Sequence, residues 1–114
     1  LLLGVNSKKF NIHFPIENRF VKEDDIYLSP AYKRNSAYIA CHVYKGKDYK
    51  SYFKALEEIF TAYQGRPHWG KLHFKKAVYF QEKYPMFEAF NKNRKVHDPN
   101  EIFLNSHLRN LLTV

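Results

Sequence analysis

The segment between residues 48 and 65 constrains the fold of this chain more than any other. Its apolar and aromatic residues recur at spacings of three and four, which places them on one face of a helix: Tyr49, Tyr52, Phe53, Leu56, Ile59, Phe60 and Tyr63. Asp48 is typical of a helix N-cap and Gly65 of a C-cap, while Pro67 cannot continue a helix. The pattern therefore predicts an amphipathic helix that buries this face against another element.

Two alternating patterns precede this helix and predict strands. In residues 36–44 the apolar face consists of Ala37, Ile39, Cys41 and Val43. In residues 11–21 one face is apolar, with Ile12, Phe14, Ile16 and Phe20, and the other carries His13, Glu17 and Arg19. Pro15 favours an edge strand or a bulge, and the polar residues 22–35 predict a loop.

Three shorter helices are predicted at residues 75–84, 86–95 and 106–112. Pro85 separates the first two, and Asn105 is a candidate cap of the third. Before that cap, the adjacent residues Ile102, Phe103 and Leu104 predict a small apolar plug. Strands followed by helices indicate an α+β fold, in which an antiparallel sheet carries helices packed on one face.

The length and start of the chain suggest that it belongs to a longer protein. Its 114 residues are enough for one modest core, and the first residue is Leu1 rather than Met. Leu1 to Leu3 are therefore expected to end an element that begins earlier. Two strands make a poor sheet, so further strands are expected in the preceding part.

The composition is that of a folded, aromatic-rich chain with a basic balance. Aromatic residues make up 18% of the chain, and the formal net charge is +8. Because Lys and Arg are spread along the whole chain, a nucleic-acid-binding module is an alternative to a solvated basic surface. The single Cys41 lies in an apolar alternation and is expected to be a small buried residue. The sequence has neither zinc-ligand spacing nor a glycine-rich phosphate loop.

Glu17 and Arg19 are the first candidates for chemistry. They are two residues apart on a predicted strand, so their side chains share one face. The alternative interpretation is an exposed ion pair, which contributes little to stability.

The second candidate is His68-Trp69-Gly70-Lys71, which joins a titratable imidazole to a fixed cation. A loop with a buried tryptophan explains the same four residues. His42 lies on the polar face of its predicted strand, where a structural histidine is the simpler interpretation.

Several short motifs occur along the chain, and their combined order and spacing are more specific than any single motif. They are Phe14-Pro15-Ile16-Glu17-Asn18-Arg19-Phe20, Asp24-Asp25-Ile26-Tyr27-Leu28-Ser29-Pro30, Arg34-Asn35-Ser36, Gly65-Arg66-Pro67-His68-Trp69-Gly70-Lys71, Tyr84-Pro85, Asp98-Pro99 and Phe103-Leu104-Asn105-Ser106-His107-Leu108. Across residues 14–108 this series resembles the C-terminal region of the sugar-1,4-lactone oxidases, which act on gulono-, galactono- and arabinonolactone. The alditol (xylitol) oxidases are close relatives, and all are flavoenzymes of the vanillyl-alcohol-oxidase type.

The resemblance implies a parent protein with two domains. Residues 1–114 would form the C-terminal substrate (cap) domain, and the FAD-binding domain would lie outside this chain. The implied reaction removes a hydride from a CH–OH carbon of a sugar-1,4-lactone and passes it to flavin, with an alditol as the alternative substrate. The implied partners are a sugar lactone or polyol and the FAD-binding domain of the same parent chain. Neither a nucleic-acid partner nor a membrane span is expected. The expected location is the cytoplasm.

The resemblance also implies roles for individual residues. The family's Glu-x-Arg pair corresponds to Glu17 and Arg19, and its His-Trp-Gly/Ala-Lys loop to residues 68–71. Arg19 and Lys71 would stabilise negative charge on the substrate oxygen or on reduced flavin. Either His68 or Glu17 would accept the hydroxyl proton, and the sequence leaves both open.

Further contacts follow from the same resemblance. His42 and Trp69 are implied to contact the substrate, and Lys71 and Asn105 to contact FAD; no metal is implied. Asn18 departs from the family at a position expected to be apolar or β-branched. The stretch Arg34-Asn35-Ser36 favours a lactone over an alditol.

Overall fold

Among the residues that the structure describes, a two-stranded sheet is followed by four helices. The structure, a computed structural model, describes Phe10 and residues 12–114. Strands β1 (Glu17–Val21) and β2 (Ser36–Ala40) precede helices α1 (Lys50–Ala62), α2 (Ala77–Lys83), α3 (Phe87–His97) and α4 (Ser106–Leu112). The strands pair antiparallel, with Glu17 opposite Ala40 and Val21 opposite Ser36. The predicted α+β class is confirmed. The strand start predicted at Asn11 and the element end predicted at Leu1 to Leu3 lie outside the described residues.

Strand β1 is shorter than predicted, because it starts at Glu17 rather than near residue 11. Pro15 has no amide hydrogen to offer a partner strand, which ends the ladder on that side. Ahead of it, Phe10 and Ile12 pack against α1 instead of continuing the sheet.

Strand β2 ends at Ala40, four residues before the predicted end. Ala40 pairs with Glu17, the first residue of β1, so the residues after it have no pairing partner among those described. The alternation nevertheless continues, because Cys41 and Val43 pack against α1. Cys41 is only partly buried, rather than buried as predicted, but this burial still raises the pKa of its thiol, which stays protonated.

The apolar face predicted for the first strand is not buried at Phe20. This side chain is 88% exposed, and the residue opposite it on β2 is the small Ala37, which is exposed as well. Helix α1 packs beyond the end of β2 at Cys41 and Val43, and so leaves this end of the sheet open.

Helix α1 follows the predicted pattern over its length, with Tyr52, Ala55 and Leu56 buried, but it ends at Ala62 and leaves Tyr63, predicted on the buried face, 82% exposed. The N-cap residue is Tyr49 rather than the predicted Asp48, although the Asp48 carboxylate accepts the amide hydrogen of Lys50 at 3.0 Å. At the other end Gln64, not Gly65, takes the left-handed conformation, with φ of 58°. Gly65 is needed for a different reason: a Cβ there would lie 2.7 Å from the carbonyl oxygen of Phe60.

The three C-terminal helices form a core of their own rather than covering the sheet, which corrects the predicted packing. Its buried members are Phe80, Tyr84, Phe87, Leu104, Leu111 and Leu112, and Trp69 packs against them. A separate, smaller cluster surrounds Tyr52 and Leu56 on α1. Among the described helices, α1 alone contributes to the cluster that includes the segment after β2, while Phe80, Tyr84 and Phe87 belong to the C-terminal core.

The predicted start of α4 is confirmed, because the side chain of Asn105 accepts the amide hydrogen of Leu108 at 2.9 Å. The predicted apolar plug is wrong for two of its three residues. Leu104 is buried, but Ile102 and Phe103 are 75% and 77% exposed. Their amides both donate to the carboxylate of Asp98, and this turn leaves the two side chains outside.

Candidate active site

One open cavity of about 620 Å³ lies between the end of the sheet, α1 and the loop that follows α1. Five of the side chains singled out in the sequence line it: Glu17, Arg19, His42, His68 and Lys71. Its other wall is apolar, with Ile39, Phe53, Leu56, Phe60, Leu72 and Phe74. The volume falls in the range of pockets for small organic ligands, and a mainly apolar wall with a few polar groups is typical of such pockets.

Glu17 is the centre of the polar side of this cavity. Its Oε1 accepts a hydrogen bond from Nε of Arg19 at 2.5 Å, and a terminal nitrogen of Arg19 lies equally close. The other oxygen, Oε2, lies 3.9 Å from Nε2 of His42. Glu17 thus sits between a guanidinium and an imidazole, and all three side chains are at least two-fifths exposed to the cavity or solvent.

His68 and Lys71 lie in a tight turn on the loop between α1 and α2. The amide of Lys71 donates to the carbonyl of His68 at 2.9 Å, and the amide of Gly70 donates to Nδ1 of the His68 ring at 3.1 Å. An imidazole nitrogen that accepts a hydrogen bond carries no proton, so neutral His68 is protonated at Nε2. The ring therefore has a hydrogen-bond donor to offer at Nε2.

Arg66 fixes the start of this loop by binding three backbone carbonyls from two other segments. Its Nε donates to Lys83 at 2.8 Å, and one terminal nitrogen donates to Pro30 and Tyr32 at 3.1 and 2.9 Å. Burial lowers the pKa of Arg66, but an arginine remains charged at physiological pH. The guanidinium also lies over the ring of Tyr84, 5.7 Å from its centroid.

Three further side chains hold the loop through its carbonyl groups. The hydroxyl of Tyr84 donates to Pro67 at 2.5 Å, that of Tyr79 donates to Gly65 at 2.9 Å, and Nε2 of His107 lies 2.9 Å from the oxygen of Trp69. Burial raises the pKa of Tyr84, which keeps its hydroxyl available as a donor. The turn with His68 and Lys71 is therefore built on a well-bonded backbone.

Trp69 and Asn105 lie away from the cavity lining. The indole nitrogen of Trp69 donates to the carbonyl of Leu28 at 3.2 Å, and its ring packs against the C-terminal core. Asn105 caps α4. In this structure the two residues contribute to the shape of the loop and the helix, while the other five candidates share the cavity.

Two cavity residues, Glu57 and His73, escaped the sequence reasoning. Glu57 lies beside the apolar stripe of α1, at a position that the helical pattern assigns to solvent. His73 is half-buried, and neither ring nitrogen has a hydrogen-bond partner among the described residues. Burial is the largest cause of the lowered pKa of His73. The only sequence signal for His73 was its place two residues after Lys71.

The described part of the chain contains no group of three or more His, Cys, Asp or Glu side chains able to hold a metal ion. Within the same residues, every helix is too short or too polar to cross a membrane.

Comparison with known proteins identifies the family. The family model described as D-arabinono-1,4-lactone oxidase matches residues 2–111. The chain is 46% identical to an L-gulono-1,4-lactone dehydrogenase of Mycobacterium tuberculosis over 95% of its own length and 25% of that protein. It is 42% identical to the L-gulonolactone oxidase of Mus musculus, over 84% of this chain and 23% of that protein. An alditol oxidase of Streptomyces is 33% identical over 84% of this chain and 23% of that protein.

The chain thus spans about a quarter of the length of these relatives. The match nevertheless extends over nearly all of its residues, including both strands, the four helices and the cavity. The chain belongs to the D-arabinono-1,4-lactone oxidase family.

Proposed function

We propose that this chain forms the C-terminal, substrate-side part of an FAD-dependent oxidoreductase that oxidises a CH–OH group of a sugar-1,4-lactone by hydride transfer to flavin. The observation that carries this proposal is the meeting of Glu17, Arg19, His42, His68 and Lys71 in one cavity. The names of two relatives, an L-gulono-1,4-lactone dehydrogenase and an L-gulonolactone oxidase, support the substrate class. The remaining part of the parent protein would bind most of the cofactor.

The residues of the cavity fit a flavin. An apolar and aromatic wall suits a planar ring system, and Arg19 and Lys71 suit the negative charge that a reduced flavin carries. Bound FAD supplies the hydride acceptor. The side chains of this chain bind the sugar, stabilise charge and accept the hydroxyl proton.

We assign the proton-acceptor role to Glu17 rather than to His68. Neutral His68 is protonated at Nε2 because Gly70 donates to its Nδ1, so the ring is set to donate a hydrogen bond. Glu17 keeps Oε2 available, since Arg19 contacts Oε1. Deprotonation of the hydroxyl makes the carbon a better hydride donor, and the Arg19 and Lys71 cations stabilise the negative charge that develops on the oxygen.

The proposal is tested by the visible absorption spectrum of the full-length parent protein. Gulono-, galactono- or arabinonolactone is expected to bleach the flavin bands, and xylitol tests the alditol alternative. Lys71→Ala and Arg19→Ala should each slow bleaching by roughly 100-fold, since each removes a charge that stabilises the transition state.

Lys92→Ala is the matched control, because Lys92 is an exposed lysine on α3 outside the cavity. Its bleaching rate should equal that of the unmodified protein. A protein that binds no flavin, or whose flavin is bleached by none of these compounds, would contradict the proposed function.

The choice of Glu17 over His68 is tested by the pH dependence of flavin reduction. Glu17→Gln is expected to lower the rate by roughly 100-fold or more and to remove the loss of rate at acid pH that protonation of the base causes. His68→Gln should keep that acid limb. The opposite result, with the limb lost only in His68→Gln, would assign the proton to His68.

A further inference from the structure

The loop that carries Lys71 has two parts, called here the first leg (before Lys71) and the second leg (after it), and different bonds hold them. Residues 65–76 contain no helix or strand. The leg before Lys71 is bound through Arg66, Tyr79 and Tyr84, as described above. The leg after Lys71, residues 72–75, is hydrogen-bonded to α1 through Glu57, and the ammonium of Lys54 on α1 lies over the Phe74 ring, 5.7 Å from its centroid.

Glu57 makes two contacts with this second leg. Its Oε1 accepts the amide hydrogen of Phe74 at 2.8 Å, and its Oε2 lies 3.6 Å from Nζ of Lys75. The side chains of Glu57 and Lys75 are only 18% and 23% exposed. A carboxylate that is this well covered loses much of its hydration and is stable only when its oxygens are satisfied, so the two contacts fix its position and that of the leg together.

The position of Glu57 therefore influences the position of Lys71. Glu57 lines the same cavity as Lys71, and its carboxylate contacts residues three and four positions beyond that lysine. On the other side, the amide of Lys71 is tied back to the carbonyl of His68. With both legs bound, the Lys71 backbone is held between α1 and the turn of His68.

We propose that Glu57 is a positioning residue for Lys71, which holds the second leg of the loop so that the ammonium group remains in the cavity. This inference rests on the proposed function, in which Lys71 stabilises negative charge. Charge stabilisation depends steeply on placement, because displacement of a catalytic group by about 1 Å costs up to roughly 100-fold in rate.

A double-mutant cycle in the full-length protein tests this role. Glu57→Ala is expected to slow flavin reduction roughly tenfold when Lys71 is present, and by less than about twofold when Lys71→Ala is already in place. Glu57→Gln should stay within about threefold of the unmodified protein, since its amide oxygen still accepts the Phe74 hydrogen. Glu88→Ala removes a carboxylate of α3 outside the cavity and should leave the rate unchanged.

Amide hydrogen exchange gives a readout that does not depend on turnover. In Glu57→Ala the peptide covering residues 72–75 should exchange several-fold faster, while in Glu57→Gln it should exchange as in the unmodified protein. If Glu57→Ala does not fold, Glu57→Asp replaces it, because the shorter side chain keeps the charge but does not reach the Phe74 amide.

The outcomes separate this inference from the proposed function. If Lys71→Ala alone has no effect on the rate, the role given to Lys71 fails and the function must be revised. If Lys71→Ala is slow but Glu57→Ala slows both backgrounds by the same factor, the function stands and the positioning role is overturned. Unchanged hydrogen exchange in Glu57→Ala would likewise overturn it.

Discussion

His73 differs from the other cavity histidines because its ring nitrogens are buried without a hydrogen-bond partner among the described residues. Its ring lies 5.0 Å from that of Phe80 and 5.9 Å from that of His107, between an apolar and a titratable neighbour. Burial is the main cause of its lowered pKa, and the nearby His107 acts in the same direction. Folding therefore favours the neutral ring.

We expect His73 to make the protein less stable at acid pH. Between the lowered pKa of the folded state and the ordinary value of 6.5, the unfolded chain binds more protons. The free energy of unfolding should thus have its full value above pH 6.5. It should decrease as the pH falls from 6.5 through the lowered pKa of His73 in the folded state. Thermal unfolding between pH 7.5 and 5 should show a smaller decrease in His73→Gln than in the unmodified protein. His97→Gln, at an exposed position, is the control and should leave the decrease unchanged.

The catalytic candidates could be predicted from the sequence only where a local motif marks them. Glu17 and Arg19 alternate on a strand, and His68 and Lys71 share a short loop, so their spacing was informative. Glu57 was missed because its partner amide, at Phe74, lies seventeen residues away in a loop without regular structure. Trp69 is predicted to contact the substrate, yet its indole donates to the carbonyl of Leu28, which no local pattern indicates.

At the scale of the elements, the capping of α4 by Asn105 leads to a simple prediction. Asn105→Ala removes the acceptor of the Leu108 amide and is expected to lower the free energy of unfolding by about 1 kcal/mol. Asn110→Ala, at an exposed position inside the same helix, should instead be neutral or stabilising by up to about 0.5 kcal/mol, because Ala is the better helix former. Urea denaturation of the two variants measures the difference. Equal effects would mean that the cap contributes nothing.

The two glycines near the turn of His68 and Lys71, Gly65 and Gly70, are expected to respond differently to an added methyl group. Gly65→Ala brings a Cβ to 2.7 Å from the Phe60 carbonyl oxygen, so the end of α1 must shift. A loss of about 1–3 kcal/mol in unfolding free energy is expected. At Gly70 the nearest atom is the edge of the His68 ring at 3.3 Å, which moves easily, so Gly70→Ala should stay within about 0.5 kcal/mol. Denaturation of the two variants checks this order, and a reversed order would contradict it.

Elements with strong local signals were predicted with nearly correct limits, and those that depend on distant partners were not. Helices α1 and α4 each have a periodic apolar face or a capping residue, and both lie within two or three residues of their predicted limits. The limits of β1 and β2 depend on each other, because the pair of Glu17 and Ala40 ends both strands. A single strand pattern contains no information about the length of its partner.

At the scale of the whole molecule, the chain is more extended than one compact core allows. Its radius of gyration is 15.8 Å, whereas about 13 Å is expected for a compact domain of this length. The two separate apolar clusters account for the difference. Such a shape leaves apolar side chains outside, including Phe20 at the end of the sheet and Phe103 before α4.

We expect the isolated chain to self-associate through these side chains as its concentration rises. Sedimentation velocity should show a concentration-dependent increase in mean mass. The double variant Phe20→Lys with Phe103→Lys should reduce that increase. The double variant Asn93→Lys with Asn100→Lys adds the same charge at exposed polar positions and should not. If both double variants reduced the increase in mean mass equally, the cause would be repulsion between the added charges and not the loss of the two exposed phenylalanines.

The bonds by which Arg66 and Trp69 hold the start of the His68 loop share one property: every acceptor is a backbone carbonyl. Arg66 binds those of Pro30, Tyr32 and Lys83, and Trp69 binds that of Leu28. A carbonyl is present whichever amino acid occupies the position. Neutral drift at these four acceptor positions can therefore exchange side chains while the loop keeps its shape. The donors have no such freedom, because replacing Arg66 or Trp69 removes the bond itself.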